Sequence, residues 1–321
     1  MSTRLYRQFL GDVAAASLPD GPGDDSPVTE EEIADLDEPV QRYLRFMGVV
    51  GRPRVWSFEG RFAGRFRQRV DGPWMDAVAF QYNTRLDVAR IFTMRLRAAK
   101  VVPMIGHDTY VRGSGRMLGK VFGLFTVADG SGKEFDIGEL TTYLNDAILL
   151  APSMVLGPDT SWTGTGENSF EVRLTDRGRQ VTAQVSLDDR GAPIDFSTFD
   201  RWAALPGGPV RARWHTPVPQ WSTVEGRPFP GPAEVTWDLD DGPFTYIRGG
   251  FVPGSVRYDV APPQEASARV EGRLPADDRH DVLTGLRGAG IMAAELVMPS
   301  GGPGGHDGGR GPLGRLAATR R

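Results

Sequence analysis

Two side chains that could transfer a proton, Tyr143 and Asp146, stand three residues apart in an otherwise apolar stretch. Residues at this spacing share one face of a helix, so both could reach the same region. Burial in an apolar cavity raises the pKa of a carboxyl group, which lets it act as an acid near neutral pH, and a phenol can protonate a carbonyl oxygen. We therefore predict Asp146 and Tyr143 as catalytic residues. The alternatives are a solvent-facing polar strip for Asp146 and simple packing for Tyr143.

Four further residues are candidates for binding a ligand: Gln81, Tyr110, Arg201 and Trp214. Gln81 and Arg201 are polar residues in strand-like stretches, and the interior of a barrel can use such residues to hold the polar groups of a ligand. The ring of Trp214 can stack on the guanidinium of Arg201, and the Tyr110 hydroxyl can orient an oxygen. The alternatives are the outer wall of the sheet for the polar residues and core packing for the tyrosine.

The motifs of common cofactor sites are missing. The chain has no cysteine, which excludes disulfides, thiolate nucleophiles and cysteine-ligated metals. The glycines of residues 113–119 stand between strand-like stretches rather than before a helix, so they do not indicate a dinucleotide site. Adjacent strand residues face opposite sides of a sheet, which separates His107 from Asp108. A metal site formed by His107, His215 and a carboxylate has no spacing in its favour. We predict no metal and no cofactor.

Composition and charge limit the partners. The 321 residues are 40% hydrophobic and 24% charged, as in a globular protein, and the net charge of −4 gives no general attraction to nucleic acid. No stretch approaches the roughly 20 apolar residues of a membrane-spanning helix. Near the N-terminus the longest apolar stretch, residues 13–16, is far shorter than a signal-peptide core. We therefore expect a cytoplasmic protein without a membrane span or a nucleic-acid partner.

Hydrophobic periodicity predicts the elements that position these residues. Apolar and polar residues alternate with period two over residues 55–126, and residues 117–127 are one of the predicted strands. Seven further strands are predicted at residues 170–174, 181–187, 194–201, 210–216, 235–239, 244–251 and 256–260. Residues 137–150 instead follow helical spacing, and Pro152 kinks or ends that helix. The pattern predicts a mainly β fold: a strongly curved antiparallel sheet or incomplete β-barrel with a central helix and N- and C-terminal helices. An antiparallel barrel of about eight strands or more has room for a ligand.

The chain divides into four predicted segments. Residues 1–27 form a flexible N-terminal arm in which residues 5–16 could form a loose helix, and residues 28–262 form the β domain. Residues 263–299 form a C-terminal helical extension, and residues 300–321 are a glycine-rich, basic tail with the composition of a disordered segment.

Several short motifs recur in a characteristic order. They are EPVQRYL (38–44), GVVG (48–51), QY (81–82), DTY (108–110), GSGRM (113–117), GLF (123–125), GEL (138–140) and GPFTY (242–246). Over about residues 28–260 this order resembles a bacterial family catalogued only as a domain of unknown function. The resemblance implies a LolA-like (lipoprotein-carrier-like) fold, a curved β-sheet around an apolar groove. The chain departs from the family pattern at Asp146, where a glutamate is common.

Two functions of different classes follow. The first is a cofactor-independent cyclase or isomerase that holds a polyketide- or terpenoid-like molecule in an apolar cavity. Such catalysis needs mainly a cavity shape that favours the reactive conformation, together with one or two hydrogen-bond donors. The second is a non-catalytic carrier of lipid-like or other hydrophobic ligands, which the carrier-like fold suggests by analogy. Both predict a hydrophobic small molecule as the partner.

Overall fold

Three helices precede the sheet in the computed structural model, which describes residues 3–98, 102–205 and 207–263. Part of the predicted arm forms helix α1 (Thr3–Ala15). Leu5, Phe9 and Val13 recur at every fourth residue, so they share one side of α1, and all three are buried. The ring of Phe9 lies 5.8 Å from that of Phe80, on the convex face of the sheet. Burial of this apolar stripe therefore fixes α1 to the sheet.

Helices α2 (Glu30–Ile33) and α3 (Glu38–Phe46) lead into the first strand. The Thr29 hydroxyl accepts a hydrogen bond from the Glu32 amide at 3.3 Å, which satisfies a free donor at the start of α2. Tyr43 of α3 is fully buried, and its hydroxyl donates to the Ile148 carbonyl oxygen at 2.7 Å. The N-terminal helices predicted from the sequence are thus present.

Six consecutive strands form the first half of the sheet, each antiparallel to the next. They are β1 (Ser57–Phe66), β2 (Met75–Thr84), β3 (Ala89–Ala98), β4 (Val102–Val111), β5 (Ser114–Val121) and β6 (Phe125–Ser131). The prediction of one strand over residues 117–127 is wrong, because Phe122 and Gly123 adopt positive φ angles of 55° and 70° and turn the chain back on itself. A phenylalanine is not a typical turn residue, so the sequence hides this hairpin.

Helix α4 (Lys133–Leu150) interrupts the strands, as predicted. It is buried on most of its circumference, which is expected for a helix inside a curved sheet. Its first turn approaches β5 so closely that a Cβ atom at Gly115 would collide with the Phe135 carbonyl oxygen. The helix ends at Leu150, since the ring of Pro152 prevents continuation, and a 3-10 turn (Pro152–Val155) follows.

The second half of the sheet follows α4. Its strands are β7 (Thr160–Gly166), β8 (Ser169–Asp176), β9 (Arg179–Leu187), β10 (Pro193–Thr198), β13 (Arg213–Pro217), β16 (Ala233–Leu239), β17 (Gly242–Phe251) and β18 (Arg257–Tyr258). Two hairpins stand apart from the sheet: β11 (Trp202–Leu205) with β12 (Gly208–Arg211), and β14 (Trp221–Val224) with β15 (Arg227–Pro230).

The sheet is antiparallel, strongly curved and open, which confirms the predicted fold class. Among the described residues it contains 14 strands in the order β6-β5-β4-β3-β2-β1-β17-β16-β13-β10-β9-β8-β7, with β18 paired to β1. Helix α4 packs against β5, next to one edge, and also against β9, near the other. The sheet must therefore curve around α4, and this curvature forms the concave face.

Two sequence predictions lie outside this description. The C-terminal helical extension and basic tail fall almost entirely beyond residue 263, outside the described residues. None of the helices in the described ranges has the length and hydropathy of a membrane-spanning segment.

Candidate functional site

The concave face of the sheet encloses a cavity of about 390 Å³ beneath α4. Much of its wall comes from alternate residues of neighbouring strands, whose side chains point to the same face. Aromatic and aliphatic side chains dominate one part of the wall: Phe62, Phe92, Met94, Leu96, Met104 and Val127. Hairpin β11–β12 covers part of the cavity with residues that include Trp202 and Leu205. The site is thus a largely apolar space between the sheet and its covering elements.

One side of α4 contributes polar groups to the cavity wall. Glu139, Thr142 and Asp146 follow one another at helical spacings of three and four residues, so they lie along one stripe of the helix, and all three line the cavity. Glu139 and Asp146 are carboxylates in an apolar setting. They require partners from the sheet, because a buried charge is strongly destabilising unless it is paired.

Arg90 of β3 supplies the partner for both carboxylates. Its Nη1 lies 3.0 Å from Glu139 Oε2, and its Nε lies 2.8 Å from Asp146 Oδ2. Gln81 Nε2 on β2 donates to the same Asp146 oxygen at 2.6 Å and to Asn83 Oδ1 at 2.9 Å. Only 6% of the Arg90 side chain is exposed. This buried network joins α4 to two strands of the sheet.

A second arginine approaches from the opposite wall. Arg201 Nη2 lies 4.0 Å from Glu139 Oε1, and its guanidinium carbon lies 4.5 Å from the centre of the Trp214 ring. The Trp214 indole donates to the Tyr246 hydroxyl at 3.1 Å, which fixes the ring that supports Arg201. Stacking holds the guanidinium at the edge of the cavity and leaves its donors available.

Asp108 of β4 is the third carboxyl group at this site. It lines the cavity and is half-buried, so the surface that it exposes faces the cavity. Within the described residues Asp108 forms no hydrogen bond or ion pair. The positive charges of Arg90 and Arg201 act on its carboxyl group only over a longer distance. It is therefore the carboxyl group that is freest to contact a bound molecule.

The acids outnumber the cations in this charge cluster, which we define as Arg90, Asp108, Glu139, Asp146 and Arg201. Burial and the negative charge of Asp108 raise the pKa of Glu139 to about 7, against the opposing effect of the two arginines. Burial also raises the pKa of Asp108 and of Asp146, although the bonds from Arg90 and Gln81 oppose the change at Asp146. With three carboxyl groups and two guanidiniums, the cluster becomes neutral when one carboxyl holds a proton. Near neutral pH it can therefore donate a proton into the cavity.

Comparison with known proteins identifies the family. The model of a family described as "Family of unknown function (DUF6544)" matches residues 26–249. The chain belongs to DUF6544. This confirms the motif resemblance and its extent, which the sequence placed at about residues 28–260. No curated protein matches this DUF6544 chain.

Three solved structures are similar to this DUF6544 chain. A putative outer membrane lipoprotein-sorting protein domain from Vibrio parahaemolyticus is 9% identical, covering 68% of this chain and 92% of that chain at a TM-score of 0.35. A LolA superfamily protein from Nitrosomonas europaea is 12% identical (66% and 90% covered, TM-score 0.36). A DUF1329 family protein from Desulfovibrio piger is 13% identical (69% and 92% covered, TM-score 0.38).

Four of the six predicted site residues lie together at the cavity: Gln81, Asp146, Arg201 and Trp214. The other two lie elsewhere. Tyr143 is fully buried, and its hydroxyl has no hydrogen-bond partner among the described residues, but it does not line the cavity. The Tyr110 hydroxyl donates to Asp176 at 2.6 Å, also away from the cavity wall. The helix spacing that suggested a shared site for Tyr143 and Asp146 places Tyr143 just beyond the edge of the lining stripe.

Sequence reasoning missed three members of the charge cluster: Arg90, Asp108 and Glu139. One signal was available for Glu139, which precedes Asp146 by seven residues, or two helical turns, and so shares its face. Asp108 was set aside with His107 as an unsuitable pair. The two do face opposite sides of β4: His107 Nδ1 lies 2.9 Å from Asp12 of α1, on the convex face.

The second histidine of the domain is also outside the cavity. His215 Nδ1 lies 3.3 Å from Asp195 and its Nε2 lies 3.4 Å from Asp238, whereas its neighbour Trp214 points into the cavity. Across the described ranges, no group of three or more histidine, aspartate and glutamate side chains is arranged to hold a metal ion.

Proposed function

We propose that this protein binds an elongated, apolar small molecule that carries an uncharged polar group at one end. The observation that carries the proposal is the arrangement of the cavity wall along β3. Arg90 stands in the charge cluster, and Phe92, Met94 and Leu96 follow on the same face toward the β3–β4 turn. A molecule lying along this strand would place its polar end against the charge cluster and its apolar body among aromatic and aliphatic side chains.

The size and polarity of the site support binding. Ligand pockets commonly measure about 300–1,000 Å³ and combine an apolar lining with a few convergent polar groups. Charged groups buried without a structural necessity lower stability, so a cluster of five that borders a cavity favours a functional role. The excess of carboxyl groups disfavours a carboxylate ligand, because it would add a negative charge to the cluster. Hydroxyl, ester or ketone groups fit better.

A cofactor-independent cyclisation or isomerisation of the bound molecule is the second candidate function. It is supported by Glu139, whose pKa of about 7 gives it a proton to donate near neutral pH, and by Asp108, which is free to accept one. Asp146 was the acid predicted from the sequence, with Tyr143 beside it. Asp146 accepts bonds from both Arg90 and Gln81, whereas Glu139 accepts one, from Arg90, and Asp108 accepts none among the described residues. Glu139 and Asp108 are therefore the better candidates for proton transfer in a cytoplasmic enzyme of this kind.

Binding can be tested with a cavity-filling variant. Gly106 lines the cavity, and a Cβ added there would meet only Met94 Cε, at 3.8 Å, which is an ordinary contact. Gly106→Leu should therefore fill the space and weaken ligand binding by about tenfold or more while the melting temperature changes little. Gly11→Leu is the matched control, because Gly11 lies on the exposed side of α1 with open space around it.

The probe for this test is cis-parinaric acid and its methyl ester. Trp202, Trp214 and Trp237 line the cavity, so energy transfer from tryptophan to the bound polyene reports binding directly. We expect the ester to bind more tightly than the acid, both to the wild type and to Gly11→Leu. Equal binding of the ester by Gly106→Leu and the wild type would refute the proposed cavity.

Catalysis needs a separate measurement. Polyketide- and terpenoid-like compounds that bind should be incubated with the protein in deuterium oxide, because acid–base isomerisation or cyclisation exchanges carbon-bound hydrogen with solvent. Enzymatic function predicts deuterium incorporation that falls by about 10²–10⁴-fold in Glu139→Gln or Asp108→Asn. Tight binding without any deuterium incorporation would instead identify a carrier.

A further inference from the structure

Three hairpins, β1–β2, β3–β4 and β5–β6, have their strand ends side by side at one end of the sheet. The register pairs Phe66 with Met75 in β1–β2, and Met104 with Val121 where β4 meets β5. The Phe122 amide also donates to the Pro103 carbonyl oxygen at 2.9 Å, which ties the β5–β6 turn to the β3–β4 hairpin. This end, which we call the hairpin end, is the one toward which the apolar wall of the cavity extends.

The hairpin end exposes large apolar side chains. Leu124 is 77% exposed, Phe125 is 64% exposed and Phe122 is 39% exposed, all in or beside one turn, and Val70 of the β1–β2 turn is 48% exposed. Apolar side chains that are exposed singly are ordinary surface composition, whereas several exposed within one turn favour an interaction surface.

The turn at Phe122 differs in composition from other turns with the same backbone. Arg112-Gly113, Arg177-Gly178 and Glu225-Gly226 each combine φ angles near 50° and 75°, as Phe122-Gly123 does. In those three turns the residue before the glycine is charged and exposed. The backbone therefore does not require phenylalanine, and a bulky side chain is unfavourable in this region of φ. The backbone of this turn therefore gives no reason for an apolar residue at position 122.

Basic side chains surround this apolar turn. Residues 65–76, 95–98, 102–105 and 118–128 together contain six basic and two acidic residues, although the whole chain carries a net charge of −4. The register aligns Arg95, Ile105 and Lys120 in one row across three strands, and Arg97 lies beside that row. This end is therefore electropositive on a molecule that is otherwise acidic.

We propose that the hairpin end docks on an anionic lipid bilayer, with Phe122, Leu124 and Phe125 inserted among the lipid head groups. Exposed aromatic and leucine side chains flanked by lysine and arginine suit such an interface, where each basic residue contributes electrostatic attraction. The inference rests on the proposed function in one respect: the apolar wall of the cavity reaches this end, so a lipid-like ligand could pass between bilayer and cavity without crossing water. Val127, two residues after Phe125, already lines the cavity.

Flotation of the full-length protein with vesicles tests the proposal. The wild type should float with vesicles of phosphatidylcholine and phosphatidylglycerol but not with phosphatidylcholine alone, and added salt should weaken binding. The triple variant Phe122→Asn, Leu124→Ser, Phe125→Ser should bind at least about tenfold more weakly, because the lost apolar side chains no longer insert. The asparagine suits the turn, so the fold should be kept. Phe199→Ser, which removes an apolar side chain 59% exposed elsewhere, is the control and should float like the wild type.

A second pair of variants tests the charge. Arg97→Glu with Lys120→Glu should abolish flotation, whereas Arg173→Glu, on β8 in the other half of the sheet, should leave it unchanged. The proposal is overturned if the wild type does not float with anionic vesicles or if the triple variant floats equally well. It is also overturned if sedimentation shows that the exposed turn joins two copies of the chain and no flotation occurs.

The outcome can be separated from that of the proposed function. Parinaric ester is presented to the same variants without vesicles. Ester binding without flotation would refute membrane docking and leave the cavity proposal intact. Flotation without ester binding would refute the cavity proposal and leave membrane docking intact.

Discussion

Arg90 Nε and Asp146 Oδ2 lie 2.8 Å apart, although the two residues are 56 positions apart in the chain. One comes from β3 and the other from α4, so their ion pair fastens the central helix to the concave face. Both side chains are nearly inaccessible to water. The pair is therefore as much a part of the fold as of the site, and its two roles can be separated by substitution.

Asp146→Asn should lower the free energy of unfolding by about 3 kcal/mol, because it removes the nearer of the two carboxylates that pair with the buried Arg90 guanidinium. Glu139 remains beside Arg90, which keeps the loss at the lower end of the range for such pairs. The measurement is urea denaturation followed by tryptophan fluorescence.

Asp108→Asn is the matched control for this substitution. Asp108 borders the same cavity without an ion pair of its own, so the change should alter the free energy of unfolding by less than about 1 kcal/mol. Equal destabilisation by the two variants would contradict the assignment of Asp146 as the structural partner of Arg90.

Tyr143→Phe should leave the protein as stable as the wild type or raise the free energy of unfolding by about 1 kcal/mol. The Tyr143 hydroxyl is buried and has no hydrogen-bond partner among the described residues, so its removal takes away only a desolvation penalty. Ligand binding should not change, since Tyr143 is outside the cavity wall.

Tyr43→Phe provides the comparison, because Tyr43 is equally buried but donates to the Ile148 carbonyl oxygen. Loss of the Tyr43 hydroxyl should lower the free energy of unfolding by about 1 kcal/mol or more. A larger loss of stability in Tyr143→Phe than in Tyr43→Phe would show that the Tyr143 hydroxyl does have a partner.

The stability of the wild type should depend on pH through Glu139. Its pKa is raised from 4.5 in the unfolded chain to about 7 in the folded protein, so the folded state holds the proton more tightly. The stabilisation is complete below pH 4.5 and is lost as the pH rises toward 7, with a slope of up to about 1.4 kcal/mol per pH unit. Arg90, Arg201, Asp108 and Asp146 are the charged groups that face Glu139, and the raised pKa of each acid acts in the same direction.

Denaturation of the wild type and Glu139→Gln between pH 5 and pH 7 isolates this contribution. The free energy of unfolding of Glu139→Gln should depend less steeply on pH than that of the wild type. Glu234→Gln, which changes a surface partner of Arg248, is the control and should retain the wild-type slope. Parallel curves for the wild type and Glu139→Gln would mean that Glu139 is ionised throughout this range.

Local sequence patterns predicted the strands and helices of this fold well, because the two faces of the sheet have different surroundings and therefore different residue types. Alternation marks strands that bury one face, and the apolar stretch after Ile137 has a period that only a helix satisfies. The β5–β6 hairpin was missed because its turn uses Phe122 where asparagine or glycine is usual. Each strand of the two separate hairpins has only four residues, which is too short for a clear alternation. Strand β7 contains one large apolar residue, Trp162, and so also lacks a strong pattern.

The site was only half predictable for a different reason. Gln81, Asp146, Arg201 and Trp214 were identified individually, as polar or aromatic residues in apolar stretches. Their assembly depends on strand register and on the position of α4, which no local pattern specifies. Arg90 is an example of a site residue that the sequence does not reveal. In the sequence it is one of many arginines in strands, and only the strand register brings it next to Asp146.

The route of the chain through the sheet has a consequence for its synthesis. Strands β6 and β7 follow one another with only α4 and its 3-10 turn between them, yet they form the two edges of the sheet. The halves are joined by β17, which pairs with β1 and is made after every other strand of the large sheet except β18. While the ribosome is still translating, β1 therefore has one unpaired edge and the apolar concave side has no second wall. The nascent chain needs protection from aggregation until residue 251 has emerged.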